Sequence, residues 1–276
     1  VLYANSVLGA RTPKHPDYLD LFIAMTGRAP AAGVYTDAGR RPRRILEFEL
    51  PHQDALDDSV WPLVGWIAGR LCPDHVPLLT GLEHLDPNAD DLKALCAAFA
   101  TTSGAPMLHV AGHTPELHLA PSPDADLRRV SPSDLADAWR ALNQGPRDID
   151  LVAIGSPHAS VDEIRRIAEL FAGRTCAPSA KMLITAGRDV LRKAQTEGLV
   201  EKLGQAGVRL IPDLCWCSIT EPVFPPGTTG LMTNSGKYAH YARGLSGLHA
   251  RLGGLSACVE AAVTGLAPDT PPGWLP

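Results

Sequence analysis

Apolar residues along this chain recur in two alternating rhythms. A helical spacing runs over residues 16–26 (Tyr18, Leu19, Phe22 and Ile23 on one face), 55–70 (Val60, Val64, Ile67) and 88–101 (Leu92, Leu95, Phe99). Short apolar or alternating runs lie between them: residues 44–50, Val76–Leu79 and Met107–Val110. The second half repeats the scheme. Ser131-Pro132 opens a helix with the apolar stripe Leu135, Ala138 and Leu142. Ile149–Ile154 reads as a strand. Ser160 with Glu163 forms a capping box for a helix that runs to Phe171. Met182–Thr185, a helix over Val190–Leu203 and Val208–Ile211 follow. Strands separated by helices of ten residues or more predict right-handed βαβ units. The fold class is therefore α/β, in three α/β/α layers with mainly parallel sheets. The polar, Pro-rich stretch 117–130 reads as a loop and divides the chain into α/β subdomains 1–125 and 126–276.

Composition narrows the class. The chain has 276 residues with 25 Gly and 25 Pro, 45% hydrophobic and 20% charged. It has too much apolar content for a disordered chain and lacks the Gly period of collagen. No apolar run is long enough for a membrane span. A net charge of −5 without a basic stripe argues against nucleic acid as a partner. The dense basic run, Arg40, Arg41, Arg43 and Arg44, reads as a solvated loop. Six scattered cysteines and no visible secretion signal point to free thiols in the cytoplasm. The first residues already look like the interior of a domain, so an upstream segment is expected.

In open α/β sheets, ligands collect beyond the carboxyl ends of the strands, and the residues suited to chemistry follow strands here. Asn5-Ser6-Val7-Leu8-Gly9-Ala10-Arg11-Thr12 surrounds one arginine with small polar groups. It suits a substrate carboxylate, or is an ordinary turn. Gly155-Ser156-Pro157-His158-Ala159-Ser160 enters a helix. It can present backbone N–H groups and a proton donor, or only cap that helix. Cys215 and Cys217, two apart, offer thiolates or are plain structural thiols. His109 and His113 could form a metal pair, yet they lack the helix and intervening Glu of a zinc hydrolase. Ser235 and Lys237 suit a carboxylate or phosphate, without a P-loop frame. Neither a Gly-x-Ser-x-Gly nor a Gly-x-Gly-x-x-Gly motif is present, which leaves a serine-hydrolase triad and a dinucleotide site unsupported.

The ordered set NSVLGART (Asn5–Thr12), TGRAP (Thr26–Pro30), LKALCAAFATTSGAPMLHVAGHTPE (Leu92–Glu116), GSPHAS (Gly155–Ser160), MTNSGKYAHYARGL (Met232–Leu245) and LSACVEAA (Leu255–Ala262) resembles the aconitase X family over essentially the whole chain. The resemblance implies the C-terminal part of a large catalytic domain or subunit. It also implies a swivelling small domain, fused or separate, and an iron–sulfur cluster or mononuclear iron. The implied activity is a hydro-lyase that dehydrates cis-3-hydroxy-L-proline to a pyrroline-2-carboxylate. Mevalonate 5-phosphate dehydration is the alternative, and so is a binding subunit inactive without its partner segment. Family members carry a cysteine motif shortly before NSVLGART, which this chain does not contain, and some have cysteine where Ser156 stands. By resemblance, Cys215 is the first metal ligand and Cys258 the second. His158 and Lys237 are the catalytic pair. Asn5, Ser6, Arg11, Thr12, Ser156 and Ser235 bind substrate. The base belongs to the swivelling domain.

Overall fold

The computed structural model describes residues 1–14 and 18–276. In chain order the helices are α1 (Leu2–Ser6), α2 (Leu19–Thr26), α3 (Asp37–Arg40), α4 (Val60–Leu71), α5 (Ala89–Thr102), α6 (Pro132–Leu142), α7 (Val161–Phe171), α8 (Arg188–Thr196), α9 (Leu199–Gln205), α10 (Gly236–Ser246) and α11 (Leu255–Thr264). The strands are β1 (Arg44–Phe48), β2 (Pro77–Thr80), β3 (His109–Val110), β4 (Asp126–Val130), β5 (Leu151–Ala159), β6 (Lys181–Ala186), β7 (Val208–Pro212), β8 (Leu231–Thr233) and β9 (Ala250–Leu252). They form two sheets, in the orders β3-β2-β1-β4 and β7-β6-β5-β8-β9, and every named pair is parallel.

Alternation along the strands of the second sheet sorts its side chains into two cores. Val152, Ile154, Met182, Ile184 and Met232 face α7, α8, α9 and α11. Leu151, Ala153, Leu183 and Leu231 face α10 and the buried Trp216. A strand period of two places neighbours on opposite faces, so one apolar run fills both cores. The first sheet has one such core: Leu46, Phe48, Leu79 and Val110 pack on α4, α5 and α6. Its other face carries polar pairs such as Arg129 with Glu47 at 2.9 Å.

Four expectations are corrected. The stretch 117–130 is not all loop. Asp126–Val130 pairs with Arg44–Phe48, and its burial is confined largely to Val130 because it is an edge strand. The sheets part between Val130 and Leu151, later than the division at 125/126. The helix over Val190–Leu203 is two helices, broken where Gly198 adopts φ +72°. Residues 16 and 17 of the first expected helix lie outside the described residues, and α2 buries none of its side chains: Phe22 and Tyr18 are exposed.

The basic run also departs from a solvated loop. Arg40 is fully buried: its Nε donates to Glu116 Oε2 at 2.6 Å, Nη1 to Ala10 O and Val34 O, and Nη2 to Asn5 O. Arg44 pairs with Asp126. Arg41 and Arg43 do face solvent.

Candidate active site

The second sheet reverses its winding between β5 and β8. β5, β6 and β7 progress outward in one direction, and β8 and β9 in the other. Such a switch point opens a crevice at the carboxyl ends of its two strands. The segment Gly155–His158 sits there. β5 pairs with β6 in register up to Ile154, and pairing resumes only at Ala159 with Ala186. Pairing with β8 ends at Ala153. The four residues between leave the ladder, and side chains from elsewhere take up their carbonyls. Thr185 Oγ1 donates to Gly155 O at 2.9 Å, Ser235 Oγ donates to Ser156 O, and Lys93 Nζ donates to His158 O at 3.1 Å. Gly155 is required here. Its φ is +103°, and a Cβ would stand 2.2 Å from Thr185 O.

Around this segment the structure gathers Ser156, His158, Ser235, Lys237, Cys215 and Cys217. Ser156 is buried, and its hydroxyl has no hydrogen-bond partner among the described residues. A buried hydroxyl so placed is costly unless something satisfies it, so it marks a ligand position. His158 Nε2 lies 2.9 Å from Leu214 O. A carbonyl only accepts, so Nε2 carries the proton and Nδ1 is left for a ligand. The loop that supplies Leu214 is fastened by Asp213, whose N–H continues the ladder to Ala186 O and whose carboxylate accepts from Arg188. The Arg188 backbone and side-chain donors hold the Asp213 carboxyl below its ordinary range. Ser235 caps α10 by accepting from Tyr238 N at 3.0 Å, and this sets Lys237 in the first turn. Among the described residues Lys237 has no hydrogen bond or ion pair. Its charge is felt at Cys217, whose thiol burial and the neighbouring Cys215 push up and Lys237 draws down.

The segment Asn5–Thr12 is a separate group. Asn5 and Ser6 are buried in the last turn of α1. Asn5 Nδ2 donates to Thr12 O and Pro106 O, its Oδ1 accepts from Thr12 N, and Ser6 Oγ accepts from Leu108 N at 3.0 Å. These bonds close the loop on the first sheet. Arg11 faces outward and donates to Asp37 at 2.5 Å, Glu116 at 3.2 Å and Tyr35 O. Arg11 and Lys237 therefore have different surroundings. His109 and His113 are each spent on a carbonyl, Arg40 O and Leu82 O, and do not form a metal pair.

Sequence reasoning missed Lys93, Asp90 and Glu163. Lys93 Nζ donates to Asp90 Oδ1 and Glu163 Oε2, both at 2.6 Å, besides His158 O. Burial pulls its ammonium down, and Glu163 and Asp90 outweigh that, leaving it above the ordinary lysine range. The legible signal was the pair of helix starts, NADD and SVDE, each rich in carboxylates that need a cation nearby.

Family models describe three consecutive aconitase X domains on this chain: the first over residues 1–38, the second over 42–140 and the third over 149–264. The chain belongs to the aconitase X family. It is 46% identical over its full length to a cis-3-hydroxy-L-proline dehydratase of Pseudomonas aeruginosa, covering 48% of that protein. It is 42% identical to one of Hypocrea jecorina, again over its full length and 47% of that protein. A phosphomevalonate dehydratase large subunit of Methanothermobacter thermautotrophicus is 34% identical over 91% of the chain and 60% of that subunit. The crystal structure of Thermococcus kodakaraensis aconitase X in its holo-form superposes with a TM-score of 0.82 at 30% identity, over 95% of this chain and 65% of that one. The chain thus spans about half the length of the two proline dehydratases.

An iron centre in this aconitase X chain would draw first on its cysteines. Cys215 and Cys217 are exposed, adjacent thiols, and thiolates suit iron–sulfur clusters. Cys258 is fully buried in the α11 core, its Sγ 3.7 Å from Gly253 O, and burial pushes its thiol far up. The structure does not bring it to Cys215. Among the described residues no three His, Cys, Asp or Glu side chains gather around a metal position. The described residues alone do not complete a cluster site.

Proposed function

We propose that this chain carries the substrate site of a dehydratase acting on cis-3-hydroxy-L-proline. The observation that carries the reading is its 46% identity across the whole chain to such an enzyme, against 34% to a phosphomevalonate dehydratase subunit. The reaction breaks the Cα–H and Cβ–O bonds, forms the ring double bond and releases water, and the product relaxes to a pyrroline-2-carboxylate. The Cα proton is weakly acidic, so negative charge develops on the carboxylate as it leaves. A preorganised cation there lowers the barrier. Lys237, an ammonium with no protein partner among the described residues, takes that role. Ser156 and Ser235 orient the substrate through hydroxyl hydrogen bonds. His158, with Nε2–H fixed on Leu214 O, offers Nδ1 toward the departing hydroxyl, and in its protonated form supplies the proton that makes water of it.

The base is assigned to the swivelling small domain, fused or separate, and no residue of this chain is named for it. Cys215 is proposed as the thiolate ligand of the family's iron, with its remaining ligands outside the described residues. The fully buried Cys258 is the weaker assignment. The six free cysteines support placing the protein in the cytoplasm.

The test is turnover of cis-3-hydroxy-L-proline, followed as pyrroline formation, in the protein with its small domain. Lys237→Met and His158→Gln are each expected to lower kcat/KM by about 100-fold or more. Wild-type turnover in both variants overturns the assignment. Arg11→Ala with unchanged KM assigns Arg11 to the Asp37–Glu116 group alone. Ligand binding without turnover, even with the small domain supplied, favours a binding subunit. Preference for mevalonate 5-phosphate replaces the substrate.

A further inference from the structure

We propose that Lys93 is the positioning residue that sets His158, and that through it the first-sheet unit governs the geometry at the second-sheet switch point. The inference rests on the reading of His158 given above, and it comes from the unpaired stretch of β5. Between Ile154 and Ala159 the backbone has left the ladder, so the His158 carbonyl has no strand partner. Thr185 and Ser235, which hold the carbonyls of Gly155 and Ser156, belong to the second sheet and the loop that follows β8. Lys93 differs. It stands on α5, whose buried residues Leu95, Ala98 and Phe99 belong to the core of the first sheet. Its ammonium therefore crosses from one unit to the other and ends on the residue whose ring faces the site.

The surroundings allow the ammonium little freedom. Its three donors meet three acceptors: Asp90 Oδ1, Glu163 Oε2 and His158 O. Both carboxylates are fixed in turn. Glu163 Oε2 accepts from Ser160 N at 3.0 Å, and Asp90 Oδ2 accepts from Ser160 Oγ at 2.6 Å. Ser160 caps α7, two residues after His158. The clasp therefore holds the backbone on both sides of Ala159. With the carbonyl held by Lys93 and the ring held by Leu214 O, His158 is fixed at two points. Without Lys93 the backbone hold is lost and the ring contact alone remains. A displacement of about 1 Å at a reacting group costs on the order of 100-fold in rate.

Two measurements decide the matter in the complete protein. Kinetically, Lys93→Met is expected to lower kcat by about 10- to 100-fold while KM changes less than about threefold, and Lys93→Arg is expected to recover most of kcat. Spectroscopically, with histidines labelled in the ring nitrogens and the His158 signals identified by their loss in His158→Gln, the wild type shows the two well-separated nitrogen shifts of a fixed Nε2–H tautomer. Lys93→Met is expected to draw them toward an averaged pair. Unchanged His158 signals in Lys93→Met overturn the proposal, as does a kcat that neither falls in Lys93→Met nor depends on the Arg variant. If Lys93→Met alone does not fold, Lys93→Met with Glu163→Gln removes the more buried of the two carboxylates left without their cation and is read in the same way. Full activity in His158→Gln refutes the catalytic reading of His158, and the nitrogen spectrum still decides what Lys93 does.

Discussion

Arg40→Met tests the claim that one buried guanidinium ties the N-terminal segment to the first sheet. Methionine fills much of the same volume and removes the charged donors. Glu116 keeps only its 3.2 Å contact to Arg11, and the carbonyls of Asn5, Ala10 and Val34 lose their donor in a site with no solvent exposure. Removing one partner of a buried ion pair costs about 3–5 kcal/mol when the remaining charge is left unpaired; Glu116 keeps Arg11 and 12% exposure, which puts its cost at the low end. Orphaned buried carbonyls add about 1–3 kcal/mol each where no water reaches them, and the contributions overlap. We therefore expect a loss of about 4–6 kcal/mol, a large share of the roughly 5–15 kcal/mol typical of a folded domain. Urea unfolding followed by far-UV circular dichroism measures it. In the double variant with Glu116→Gln, the charge left behind is gone, so the two substitutions together are expected to cost less than the sum of each alone. A loss below about 1 kcal/mol in Arg40→Met, or strict additivity in the cycle, would refute the reasoning.

Gly155→Ala is expected to cost stability, and activity more steeply, because the new methyl meets backbone at Thr185 O and the φ of +103° disfavours any Cβ; thermal melting with turnover checks both. Burial pushes the Asp91 carboxyl up to about 6, so the folded state holds its proton more tightly than the unfolded chain. Its stabilising effect is full below the ordinary aspartate range and fades as pH rises from about 4 through 6. Asp91→Asn, which keeps an acceptor for the Asn88 cap, should flatten that fall; urea midpoints at pH 4.5 and 7.5 decide it. Native thiol labelling read by mass spectrometry should modify Cys215 and Cys217 quickly and leave Cys72, Cys96 and Cys258 intact, following exposure and the raised thiols of the buried three.

The elements with a sustained apolar period were legible, and the cases that were not share a cause. Ser131 and Ser160 cap their helices as their spacing predicts, because a capping box is a local bond pattern written within four residues. β4 escaped because an edge strand with one buried residue has almost no apolar alternation to read. Gly155–Ala159 reads as the entry to a helix because the Ser160 capping box follows it, and its attachment to β5 depends on Ala186, far away in sequence. At the site, Ser156, His158, Ser235, Lys237 and Cys215 fall together because each lies at or just beyond the carboxyl end of a strand of one sheet. Arg11 joins them through the family resemblance, not through residue type, and in the structure it pairs with Asp37 and Glu116. The buried Arg40 and the half-buried Lys93 were unreadable as paired cations, since the acceptors that hold a charge come from distant segments.

The first sheet also ends in two unlike ways. Its β3 edge is two residues long, and its β4 edge carries Asp126, Arg128 and Arg129 in five residues. A long apolar edge would invite a strand from another molecule to add itself and propagate. Here one border is too short to template such growth and the other presents charges to any newcomer. The polarity that hid β4 from sequence pattern therefore protects the protein against edge-to-edge aggregation.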